Sequence, residues 1–119
     1  MESKRQLQVA ELIKRNFGTV LQQEGSYIFG YAFVTVTNVN VTPDLALAKI
    51  YLSVYNTEDK QSVITMMDEH HTSLKSSLAH RIRRHIRRIP DVAFYLDDTL
   101  DEMYKLNKIF DDLNGPKDQ

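Results

Sequence analysis

The sequence predicts an α+β domain: one three-stranded sheet with helices packed on one face. Three observations carry this. Apolar residues recur at steps of three and four near the N-terminus and again over residues 60–89. Two runs rich in β-branched and aromatic residues lie between those helical segments. A third such run follows Pro90, before a last helical pattern. The 119 residues suffice for one core and little else, so residues 1–114 are expected to form a single domain and residues 115–119 a short flexible tail.

The first helix is expected over residues 6–23, where Val9, Ile13, Phe17, Val20 and Leu21 share one stripe. Ser3 and Gln6 supply a capping box at its start, and Gly25 punctuates its end. Residues 28–39 and 45–55 read as strands on either side of Thr42-Pro43-Asp44. In the second, Ala48, Ile50, Leu52 and Val54 alternate with Lys49, Tyr51, Ser53 and Tyr55, the first set facing inward. An antiparallel hairpin with one face covered by helices fits both runs.

Residues 60–89 carry a helical seam of Val63, Ile64, Met67, Leu74, Leu78, Ile82, Ile86 and Ile89. His70, His71 and Lys75 fall on or beside that seam, which predicts a kink near residues 70–73. Pro90 ends the helix and residues 92–96 form the third strand. Thr99 and Glu102 cap a last helix over residues 100–113, stopped by Gly115-Pro116. The expected order is therefore α-β-β-α-(kink)-α-β-α.

Composition excludes several function classes. With no Cys, the chain has no disulfide framework, thiolate metal site or Cys nucleophile. The N-terminus is polar, and no apolar run approaches the ~18 residues of a membrane-spanning helix. A cytoplasmic protein without membrane contact is expected. The net charge of −1, from 15 basic and 16 acidic residues, taken alone argues against a nucleic-acid ligand.

The distribution reverses that argument. Between Lys75 and Arg88 there are six basic residues and no acidic one: Lys75, Arg81, Arg83, Arg84, Arg87 and Arg88. His80 and His85 add conditional charge. On a continuous helix, advancing about 100° per residue, His80 and the five Arg residues fall opposite the Leu78, Ile82 and Ile86 stripe. Arg grips phosphate bidentately and stacks on bases. A merely solvated face normally mixes signs, because like charges four residues apart repel. A phosphate-binding ridge is therefore favoured. The alternative is a protein-interaction domain whose basic helix meets an acidic partner, helped by the sheet edge or Tyr51 and Tyr55.

Other clusters are better explained structurally. From Asp91 to Asp118 there are eight acids and three Lys. Asp97-Asp98 and Asp101-Glu102 suggest a metal or an acid–base pair, but acids around a first helical turn complement the helix dipole. His70-His71 beside Asp68-Glu69 lacks a third ligand at a metal spacing. No nucleophile–base motif and no Gly-rich phosphate loop is present, so neither catalysis nor a cofactor is expected.

Two segments resemble the bacterial ribosome-binding factor A family. One runs from Val34 to Val54 and contains Asp44-Leu45-Ala46-Leu47-Ala48-Lys49-Ile50-Tyr51. The other is Arg87-Arg88-Ile89-Pro90-Asp91-Val92-Ala93-Phe94-Tyr95-Leu96-Asp97-Asp98-Thr99-Leu100. The likeness extends from Arg5 to Leu113 and implies a type II KH-like fold. It further implies a non-catalytic factor, monomeric when free. Such a factor binds the free small (30S) ribosomal subunit and assists late maturation and processing of its 16S rRNA, with a link to growth in the cold. KH domains commonly hold single strands with a Gly-x-x-Gly loop, which this family replaces with an Ala-x-Gly kink. Here the corresponding place is His70-His71-Thr72, with neither Ala nor Gly. That departure leaves more of the binding to the basic ridge. The expected RNA-binding residues are Lys75, His80, Arg81, Arg83, Arg84, Arg87 and Arg88, extended by Lys4, Arg5 and Lys49.

Overall fold

Ser3 opens the first helix, α1, which spans Lys4–Phe29. The Ser3 hydroxyl accepts from the Gln6 amide at 3.1 Å, and Gln6 Oε1 accepts from the Ser3 amide at 2.8 Å, completing the expected capping box. Gln6 is buried, and its Nε2 donates to the Val41 carbonyl at 2.8 Å. The helix start is thereby tied to the end of the first strand. The computed structural model describes residues 2–97. The expected helix over residues 100–113, the domain end at 114 and the tail lie outside these residues.

Helix α1 does not stop at Gly25. It continues to Phe29, and Gly30 caps it at φ 67°, a left-handed value that glycine adopts without strain. Gly25 is instead a notch: a Cβ there would lie 2.5 Å from the Phe29 ring. The first strand accordingly begins later than residue 28, because Ile28 and Phe29 belong to the helix.

Strand β1 is Phe33–Val41 and β2 is Leu47–Tyr55, paired antiparallel. The register steps between Val36 and Asn38, leaving Thr37 as a bulge. The bulge switches which parity faces inward: Val34 is buried before it, Val39 and Val41 after it. On β2, Ala48, Ile50 and Leu52 are fully buried and Val54 nearly so, as the alternation requires. Strand β3, Asp91–Leu96, pairs parallel to β2, giving sheet order β1-β2-β3. A parallel neighbour needs a long crossover, and the two helices between β2 and β3 supply it. Phe17 of α1 stacks on Phe94 of β3 with ring centroids 5.5 Å apart, fixing helix to sheet.

Those crossover helices are α2, Lys60–Glu69, and α3, His71–Ile82, so the chain breaks at the expected kink. The helical expectation to residue 89 is not met. Helix α3 ends at Ile82, and residues 83–90 form a turn and an irregular link. His85 N–H donates to the Ile82 carbonyl at 2.9 Å, closing the turn, and Ile86 is still buried. Two effects end the helix early. Pro90 disfavours helical backbone at Ile89. Continuing the helix would also stack Arg83 on Arg87 and Arg84 on Arg88. Among the described residues, no helix is long and apolar enough to cross a membrane.

Candidate nucleic-acid interface

The early end of α3 changes the geometry of the basic residues. Arg83, Arg84, Arg87 and Arg88 do not form one helical face. They are exposed along the turn and link that follow α3. Arg87 and Arg88 meet Arg5, from the first turn of α1, around a groove of about 210 Å³. Asp44 and Leu45, from the β1–β2 loop, close its far side. A wider, shallower depression adjoins it across Arg5, Val9 and Ile86, and there Lys4 and Arg15 add positive charge beside His85 and the single acid Glu11. Arg5 and Lys4 are thus brought beside the arginines of the link, as an extension of the site.

Other expected site residues lie elsewhere. Lys75 is 3.5 Å from Asp91 Oδ1, an ion pair between α3 and the start of β3. His80 and Arg81 face the later turns of α1, beside Gln23 and Glu24, and Arg81 Nε donates to Asn16 Oδ1 at 3.3 Å. Lys49 stands on the sheet face turned away from the helices, near Asn40 and Tyr51. Tyr51 stacks there on Tyr95, with centroids 5.4 Å apart. Asp97 accepts from the Thr37 hydroxyl at 2.6 Å, and Asp98 lies outside the described residues. Among the described residues, no three His, Asp or Glu side chains converge to hold a metal ion.

Arg15 and His85 belong to the basic surface but stand outside the set of site residues expected from sequence. The signal for Arg15 is present there: Lys4, Gln8 and Arg15 lie at helical spacing on the exposed side of α1, remote from the acid-free run. Asp44 is the one acid at the groove. The Thr42 hydroxyl, then the Ala46 amide and, more weakly, the Arg88 guanidinium hold its carboxyl below the usual range, so it is ionised and only accepts.

The model of the ribosome-binding factor A family matches residues 5–110 of the chain. The chain belongs to that family. It is 37% identical over 117 residues to ribosome-binding factor A of Cytophaga hutchinsonii, covering 98% of this chain and 88% of that protein. It is similar in fold to the crystal structure of ribosome-binding factor A from Thermus thermophilus. That match has a TM-score of 0.63 at 19% identity, covering 76% of this chain and 94% of the other. A second Thermus thermophilus match is a homology model of the factor fitted into a cryo-EM map of its 30S complex. Its TM-score is 0.59 at 22% identity, covering 74% of this chain and 90% of that one.

Two histidines make the junction between α2 and α3. His70 sits at φ −104° and ψ 22°, a region open to residues other than glycine. Its Nδ1–H donates to the Met66 carbonyl at 2.9 Å, satisfying one of the orphan acceptors at the end of α2. His71 opens α3, and its Nε2–H reaches β3, donating to Asp91 Oδ1 at 3.0 Å and the Val92 carbonyl at 3.1 Å. Thr72 lies exposed within α3. The two rings point to different partners, so the pair braces the kink.

Proposed function

We propose that this protein binds the free small ribosomal subunit by its RNA and assists late maturation of that RNA without catalysing a reaction. The observation that carries the proposal is the meeting of Arg5, Arg87 and Arg88 at one groove, continued by Lys4, Arg15 and His85, in a chain of this family. Folding does not require five permanent cations from two remote segments to share a surface on which only Glu11 and Asp44 are acidic; the repulsion of the excess positive charge opposes it. A polyanion removes that repulsion, and arginine is the side chain best shaped to hold phosphate.

Arg83 and Arg84, exposed on the turn after α3, extend the phosphate contacts. The Thermus thermophilus factor in its 30S complex supports the small subunit as partner. Processing of precursor 16S rRNA, a role in growth in the cold, a cytoplasmic location and a monomeric free state follow from the same reading. Replacing Arg84 and Arg88 together by Glu is expected to abolish co-sedimentation with purified small subunits while leaving the fold intact, since both side chains are exposed. Unchanged co-sedimentation would overturn the proposal. Should the cations instead meet an acidic protein, binding in lysate would survive RNase.

A further inference from the structure

We infer that the groove between α1, the β1–β2 loop and the α3–β3 link is a subsite for one unpaired nucleotide of the bound RNA, its base in the groove and its phosphates on Arg5, Arg87 and Arg88. The inference rests on the RNA-binding reading above and adds to it a base-sized pocket. Its walls are apolar where the rim is charged: Val9, Leu45, Ile86 and Pro90 line the interior. Duplex phosphates alone would need only the cations. An apolar slot within a cationic rim suits a ligand with a flat uncharged face and anions on either side of it, which describes a nucleotide in a single strand. At about 210 Å³ the groove falls below the roughly 300 Å³ at which sites for larger ligands begin, and it suits one base rather than a stack.

Two further features favour a built site. Leu45 sits at φ 60°, in the left-handed region that a leucine ordinarily avoids. Its loop holds it there: the Leu45 amide donates to the Thr42 carbonyl at 2.8 Å, and the Ala46 amide donates to Asp44 Oδ1 at 3.1 Å. Asn or Gly would fit that backbone more easily, yet neither would present an apolar wall to the groove. Secondly, two segments that carry the family resemblance, Asp44-Leu45 just before β2 and Arg88 and Pro90 just before β3, meet there because the two strands run parallel. The exposed Asp44 carboxylate, already accepting from Thr42 and Ala46, keeps acceptor capacity that an exocyclic base amine or a ribose hydroxyl can use.

The test compares a labelled six-nucleotide adenosine RNA with an abasic ribose-phosphate oligomer of equal length and charge, by fluorescence anisotropy at about 50 mM salt, where phosphate contacts are strong. The full chain is expected to bind the adenosine oligomer about tenfold more tightly, the effect of seating one base. Leu45→Asn, which suits the backbone and removes the apolar wall, is expected to bring the two affinities within about twofold of each other without weakening the abasic oligomer. Equal affinities in the unaltered protein would overturn the inference, with no variant required. So would a preference for bases that persists in Leu45→Asn, or no measurable binding to either oligomer. If small subunits still co-sediment with the protein in those cases, only the nucleotide subsite fails. Loss of co-sedimentation would instead remove the RNA-binding reading beneath it.

Discussion

Replacing Arg87 and Arg88 by Ala removes two of the five permanent cations lining the groove and its adjoining depression, the others being Lys4, Arg5 and Arg15. Each phosphate neutralised releases counterions and contributes about −0.7 to −0.9 to the slope of log affinity against log salt. Five contacts therefore give a slope of roughly −3.5 to −4.5, and three give roughly −2 to −2.7. Arg83 and Arg84, exposed on the turn after α3, would steepen both slopes equally, so the decisive quantity is the difference of about 1.4 to 1.8. Both replaced side chains are exposed, so the urea midpoint is expected to stay unchanged. The assay is titration of fluorescently labelled protein with purified small subunits at fixed Mg²⁺, across several monovalent salt concentrations. An unchanged slope would refute the assignment of these cations to phosphate, even if the affinity at one salt concentration fell.

Lys75→Ala is expected to leave that salt slope unchanged, because Lys75 of α3 is paired with Asp91 of β3; a slope lowered by about 0.7 or more would place Lys75 on RNA after all. Gln6→Ala should cost about 2 kcal/mol in urea unfolding, since it removes half of the capping box and the buried bond to the Val41 carbonyl. A loss under about 0.5 kcal/mol would mean that neither bond matters. Asp91 is held below the usual carboxylate range by the Val92 amide, then by Lys75 and His71. Its folded value lies under its unfolded one, so its contribution is present above the unfolded value and lost as pH falls through the folded value. Asp91→Asn should therefore be less stable than the unaltered protein near neutrality by under about 1 kcal/mol, the site being half exposed. The gap in urea midpoint should close as pH falls below about 4; a gap that widens toward acid would contradict the pairing.

Residue pattern tells most where burial has a fixed period. The inward set Ala48, Ile50, Leu52 and Val54 is legible directly, because alternation on a half-covered strand admits one register. The Ser3–Gln6 box is legible because capping chemistry is local. Periodicity misleads where a turn buries the residue that a helix would have buried. Ile86 continues the Leu74, Leu78, Ile82 spacing, yet it reaches the core from a turn. The five arginines therefore read as one helical face, when Arg81 is bonded to α1 and Arg87 and Arg88 curl toward Arg5. Gly25 reads as a stop only while Phe29, four residues on, is placed in a strand. With Phe29 in the helix, Gly25 becomes the space that its ring occupies. The parallel pairing of β3 with β2, and the meeting of the Asp44 loop with the Arg88 link, are long-range facts that no local spacing encodes.

The most direct test of ribosomal-subunit binding is a density-gradient profile of lysate from cells making the tagged protein, resolved into free small subunits, free large subunits, whole ribosomes and supernatant. The protein is expected to be enriched with free small subunits, and that enrichment to be lost at high salt and in the Arg84→Glu/Arg88→Glu variant. A protein that stays in the supernatant, or travels equally with large subunits, would contradict the proposed function.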